Sequence, residues 1–195
     1  GGTLHRLISR KACEVRAVIM GEGITSRSEN RNNEQFREEL IELRKNIKKA
    51  AECIGISSTG LYELPDNRFD SVNLLDIIKF VEREIAEFQP QIIFTHHAGD
   101  LNIDHQKTSQ AVVTATRPVP GETPRMILAF ETPSSTEWQV FDSQNAFHPN
   151  VFIPLSREDI TAKQNALKAY TTECQNYPHP RSSRALEVIA RRWGT

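Results

Sequence analysis

The sequence predicts an α/β fold built on a doubly wound, mostly parallel sheet. Short apolar, partly β-branched runs alternate with amphipathic stretches of ten residues or more, the pattern of strand–helix–strand units. Such units cross over right-handedly and so generate parallel strands. The densest polar cluster, His96 to His105, directly follows one apolar run, Gln91-Ile92-Ile93-Phe94. Open α/β sheets place their ligands at such carboxyl ends of strands.

The elements follow in order. Thr3 to Lys11 carries Leu4, Leu7 and Ile8 at helical spacing. Cys13 to Met20 alternates loosely and reads as a strand ended by Gly21-Glu22-Gly23. Asn30 to Ile54 reads as a long helix with Phe36, Leu40, Leu43, Ile47, Ala50 and Ala51 on one face, stopped by Gly55. Gly60 to Leu64 reads as a short strand before the turn Pro65-Asp66-Asn67. Leu74 to Phe88 is a second long helix, closed before Pro90, and Gln91 to Thr95 is the strand leading into the cluster. Asp104 to Thr116 is the next helix. Met126 to Phe130 and Val151 to Ile153 read as strands, and the loop-rich stretch from Pro118 to Asn150 contains five prolines. Ser156 to Tyr170, with Ser156 as N-cap, and Ser182 to Arg192 read as helices.

The chain has 195 residues, enough for one sizeable core, and is read as a single domain over 1–195. A formal net charge of −1 supplies no general attraction to nucleic acid or anionic membranes, so neither is expected as a partner. No apolar run reaches the roughly 20 residues of a membrane span. Cys13, Cys53 and Cys174 are scattered and odd in number, which reads as reduced thiols in a cytoplasmic protein. His148 and His179 read as surface loop residues and His5 as an exposed helix residue.

The run Thr95-His96-His97-Ala98-Gly99-Asp100-Leu101-Asn102-Ile103-Asp104-His105 holds the chemistry. Imidazoles with carboxylates serve metal ligation and proton transfer. The plain reading stands beside this one: Asp104 is an N-cap, and Asp100 and Asn102 are turn residues. Trp138, Phe141 and Phe147 suit either a sugar face or the core of a loop. A nuclease of the His-Asn-His kind is disfavoured, because no basic stripe accompanies the histidines.

The pattern His97-x-x-Asp100-x-Asn102-x-Asp104-His105 resembles the second motif of the PIG-L/LmbE de-N-acetylases. The likeness extends through Gly1-Gly2-Thr3-Leu4, Arg44 with Lys48, Ala51 and Gly55-Ile56, and Leu64-Pro65-Asp66-Asn67-Arg68. It continues through Glu131-Thr132-Pro133-Ser134-Ser135-Thr136-Glu137-Trp138 and Pro178-His179-Pro180-Arg181-Ser182. The resemblance implies a Rossmann-like fold and a zinc-dependent hydrolase that removes acetyl from an N-acetylglucosamine-type sugar derivative. It implies His105 as a zinc ligand and Asp104 as the carboxylate orienting an imidazole. Asn102 stands where many members have a catalytic His, a role that His96 or His97 could take. Arg44, Arg181 and Asp100 are the implied substrate contacts, and a homo-oligomer is compatible with the family.

The family's first motif, Ala-His-Pro-Asp-Asp-Glu, supplies two further zinc ligands and the general base. Its place falls just before Gly1, and a further strand and helix would follow Trp193-Gly194. The family's first strand is therefore expected to be lacking from the sequence, between Cys13–Met20 and Gln91–Thr95. Those two strands could pair directly, receive a strand from a partner chain, or flank residues that precede Gly1, which is the expected case. A catalytically incomplete scaffold that binds sugar or oligomerises is the alternative function.

Overall fold

The computed structural model describes residues 1–11, 13–27, 34–118, 124–139 and 145–194. Helices and parallel strands alternate along the chain as expected for an α/β fold. The helices are α1 (Gly2–Ser9), α2 (Arg37–Ile54), α3 (Leu74–Phe88), α4 (Ile103–Ala115), α5 (Arg157–Lys168) and α6 (Ser183–Trp193). The strands are β1 (Arg16–Gly21), β2 (Ser58–Leu64), β3 (Ile92–His96) and β4 (Met126–Phe130). Among the described residues they form two two-stranded sheets, β1 with β2 and β3 with β4, so direct pairing of β1 with β3 is not seen. β3 and β4 are parallel, in a register that sets Ile92 opposite Met126 and His96 opposite Phe130.

Contacts group the chain into two units. The first contains Gly1–Ile19, Asn32–Leu61 and Pro149–Thr195; the second contains Met20–Arg31 and Tyr62–His148. In the first, α2 buries Ile47, Ala50, Ala51 and Ile54, the inner end of the face expected from the sequence. Gly55 ends α2 with φ 86, a left-handed position where the backbone favours glycine, and the N–H groups of Gly55 and Ile56 both reach the Ala51 carbonyl. The start expected for this helix at Asn30 lies outside the described residues; the helix itself begins at Arg37.

α5 opens with a capping box. The Ser156 hydroxyl accepts from the Asp159 N–H, and the Asp159 carboxylate accepts from the Ser156 N–H. Asp159 also holds His5 Nδ1 at 2.7 Å and lies 3.6 Å from Arg6, which ties α1 to α5. His5 is thus a partly buried residue hydrogen-bonded to Asp159, not the exposed helix residue expected.

Val151–Ile153 forms no strand. Val151 and Phe152 are 54% and 58% exposed, and among the described residues no neighbouring strand takes up the backbone groups of this segment. β-branched composition alone does not make a strand without a ladder partner. In the second unit, α3 and α4 pack together, burying Ile77, Ile78 and Val81 from one and Ala111 and Val112 from the other. Full burial of a side chain such as Ile77 contributes roughly 1.5–3 kcal/mol. Phe69, 2% exposed, lies against Gly21, where a Cβ would come within 3.3 Å of its ring.

Candidate active site

The parallel register of β3 and β4 brings the loops that follow them to the same sheet end. The His97 N–H donates to the Phe130 carbonyl at 3.1 Å, extending the ladder by one bond. After β3 the chain turns through Gly99, where an added Cβ would lie 2.3 Å from the Asn145 carbonyl oxygen. Only glycine permits that approach. Asp100 then closes an Asx turn by accepting the Asn102 N–H at 2.9 Å.

Asn102 is the N-cap of α4. Its side-chain oxygen accepts from the N–H groups of Asp104 (2.8 Å) and His105 (3.3 Å), while its amide nitrogen donates to Asn67 Oδ1 at 2.8 Å. Both ends of the side chain are engaged, one capping α4 and the other tying it to Asn67. The N-cap expected at Asp104 falls two residues earlier.

Asp104 occupies the first turn of α4 with its carboxylate on a different loop. Oδ2 accepts from the Asn67 N–H at 2.7 Å, and Oδ1 accepts from the Phe69 N–H at 3.0 Å. Burial pushes its pKa above the usual carboxylate range, with the two amides opposing the shift and Asp66 reinforcing it. The orienting role implied for Asp104 is therefore not seen; this carboxylate clamps the 67–69 loop. Asp104→Asn should cost about 2 kcal/mol of stability, because its amide group confronts a backbone N–H. Urea unfolding measures this, and a loss under about 0.5 kcal/mol would show that the clamp is dispensable.

Asp100 is the carboxylate that meets an imidazole. It is fully buried, and its Oδ1 lies 3.0 Å from His105 Nδ1. The Ser135 hydroxyl also donates to Oδ1, and the Thr136 hydroxyl donates to Oδ2 at 2.6 Å. Burial alone would raise this pKa, but the hydrogen bonds from His105, Ser135, Thr136 and Asn102 outweigh it and hold the group below its ordinary value. Asp100, implied as a substrate contact, is here a buried hub of four hydrogen bonds. An ionised carboxylate can only accept, so His105 donates through Nδ1 and, when neutral, carries its lone pair on Nε2.

His96 stacks on His105, with ring centroids 3.9 Å apart and planes within 3° of parallel. Its Nδ1 lies 3.3 Å from Thr132 Oγ1. Burial, then the neighbouring His105, lower its pKa to about 3, with Asp100 opposing, so the ring is neutral at ordinary pH. His97 turns elsewhere. Its Nε2 meets the Asn145 carbonyl oxygen at 2.8 Å, and its ring meets Phe147 edge-on. The network therefore joins His96, Asp100, Asn102, Asp104 and His105, while His97 anchors the 145–147 segment.

Trp138 is exposed beside the Ser135–Thr136 turn, and Phe141 lies outside the described residues. Arg44 and Arg181 belong to the first unit; Arg44 is exposed on α2, and Arg181 forms an ion pair with Glu173. Sequence reading missed Thr132, Ser135 and Thr136 as site residues. The available signal was a run of hydroxyls directly after a strand, Thr132 to Thr136.

The fit to a metal is partial. A ligating imidazole holds its ion in the ring plane, about 2.0–2.1 Å from nitrogen for zinc. Two nearly parallel planes offer no common point, so His96 and His105 cannot share an ion in this arrangement. Asp100 is spent on internal donors, and His97 lies on Asn145. Among the described residues no group of three or more His, Cys, Asp or Glu could hold a metal ion. The residues do not make a complete zinc site; one imidazole, His105, is set up as a donor.

Comparison with known proteins shows the family and the fold. The PIG-L family, described as GlcNAc-PI de-N-acetylase, matches residues 1–116. The chain belongs to this family of metal-dependent deacetylases. A search of curated protein sequences finds no match. The conserved protein TT1542 from Thermus thermophilus is similar in structure, with TM-score 0.70 and 19% identity over 99% of this chain and 80% of that one. The A40926 pseudoaglycone deacetylase Dbv21 is similar at TM-score 0.68 and 17% identity, over 98% and 84% of the two chains. GalB, the 4-carboxy-2-hydroxymuconate hydratase from Pseudomonas putida KT2440, is similar at TM-score 0.61 and 16% identity, over 97% and 77%. One fold thus carries deacetylases and a hydratase. No described helix is long and apolar enough to cross a membrane.

Proposed function

We propose that the protein is a hydrolase that removes an N-acetyl group from an N-acetylglucosamine-type sugar derivative. The observation that carries this reading is the Asp100–His105 pair. A buried carboxylate tied to Nδ1 leaves Nε2 as the basic nitrogen, the arrangement that prepares a histidine to bind a metal. The family match supports the amide and sugar chemistry. His105 would supply one ligand to a divalent ion, zinc by the family's chemistry. The other ligands are not formed among the described residues, so no reaction step is assigned to the ion.

The neutral imidazole of His96, packed on His105, is the next candidate to touch substrate. A polar group there could hydrogen-bond a developing oxyanion or a leaving amine, although a neutral ring of such low basicity makes a poor proton carrier. The second reading is a sugar-binding or oligomeric scaffold without turnover. The hydroxyls that occupy the Asp100 carboxylate and the parallel stacking of His105 on His96 favour it.

One experiment separates them. Free-amine release from N-acetylglucosamine derivatives is followed with added zinc and with a chelator. Metal-dependent amine release supports the hydrolase. Saturable sugar binding without release, at any metal concentration, overturns it in favour of the scaffold.

A further inference from the structure

The turn after β4 meets one imidazole and the carboxylate that holds the other. Thr132 Oγ1 lies beside His96, and Ser135 and Thr136 donate to the carboxylate that holds His105. We propose that Ser135 and Thr136 are positioning residues that act through Asp100 to fix His105 as its Nδ1–H tautomer in one ring orientation. The proposal deepens the reading of His105 as a donor through Nε2 and rests on that reading for its catalytic meaning.

The direction of each bond is set by chemistry. Thr136 Oγ1 accepts the Thr132 N–H at 2.7 Å, which directs its own proton to Asp100 Oδ2. Ser135 and the Asn102 N–H hold Oδ1. The two carboxylate oxygens are thus pinned from two separate segments, which stops the group from rotating about its Cβ–Cγ bond. The turn is itself held. The Glu137 carboxylate accepts the N–H groups of Ser134 (2.6 Å) and Ser135 (3.3 Å), and Ser134 takes a left-handed backbone with φ 66. Ser135, Thr136 and Asp100 are all buried, so water does not replace a lost hydroxyl cheaply.

A turn that merely buttressed the fold would alter stability and leave the imidazole tautomer alone. The test therefore reads the tautomer. Long-range proton–nitrogen NMR on the full chain, labelled with nitrogen-15 at histidine, assigns the protonated nitrogen of His105. The wild type should be chiefly Nδ1–H. In Ser135→Ala/Thr136→Val, the preference should fall about tenfold. Ser135→Thr and Thr136→Ser, which keep a hydroxyl, should retain it. If the double variant does not fold, the single variants Ser135→Ala and Thr136→Val give the same reading. An unchanged tautomer in hydroxyl-free variants with native amide spectra overturns the proposal, even if Asp100→Asn shifts it. The measurement needs neither metal nor substrate, so it stands or fails separately from the amine-release assay.

Discussion

Asp100→Ala should destabilise the protein by about 3 kcal/mol, the largest stability loss expected from any single change at the site. The carboxylate is wholly buried and accepts from His105, Ser135, Thr136 and the Asn102 N–H. Truncation leaves these donors facing a dry cavity. Asp100→Asn keeps the shape but presents an amide group to donors, and should cost about 2 kcal/mol. Acid separates charge from shape. The folded-state pKa of Asp100 lies below its ordinary 3.8, so the native state binds fewer protons there than the unfolded chain. Its stabilising contribution is complete above about pH 4 and drains as pH falls below that value. Urea midpoints taken from pH 6 downward should fall less steeply below pH 4 in Asp100→Asn than in the wild type. Parallel pH profiles would show that the carboxylate is not held ionised by the fold.

His105→Ala should reduce amine release on the order of a thousandfold and weaken divalent-metal binding at least about tenfold, with a much smaller loss of stability than Asp100→Ala. The side chain holds up little of the fold. It contributes one hydrogen bond, to Asp100, and one ring face, to His96. Its chemical value lies in the nitrogen that Asp100 does not use. His96→Ala should lower turnover while leaving metal binding nearly intact, since the two rings cannot ligate one ion together. Equal loss of metal in the two variants would mean that the stack opens to bind, contrary to the division of roles drawn from the ring planes. Calorimetric titration with zinc, beside the rate measurements, decides the point.

Periodicity reached α2 and α3 because each buries an apolar stripe that repeats along the sequence. The polar cluster was legible because a strand, a glycine turn and a helix start follow in immediate succession. The choice between its two carboxylates was not. Asp100 and Asp104 both flank the same cap, and spacing alone does not say which faces an imidazole. The answer lies in partners far along the chain, Ser135 and Thr136 for one and the 67–69 amides for the other. Nor could pattern warn that His97 turns toward Asn145, which depends on the close passage of that backbone over Gly99. Val151–Ile153 shows the converse limit, a strand-like composition with no ladder to join.

The division of contacts also orders events during synthesis. The Asp100 network is closed by residues between Asn67 and Thr136, with separations of 5 residues for His105, 35 for Ser135 and 37 for the Asn67–Asp104 clamp. The tie between α1 and α5 joins His5 to Asp159 across 154 residues. A nascent chain meets its short loops first, and N-terminal parts settle as they leave the ribosome. The polar hub can therefore mature while the unit containing α1 still waits for residues 149–195. A ribosome stalled just after His148 has cleared the exit tunnel would already carry the ordered imidazole pair. The α1–α5 tie would form only once Asp159 has followed.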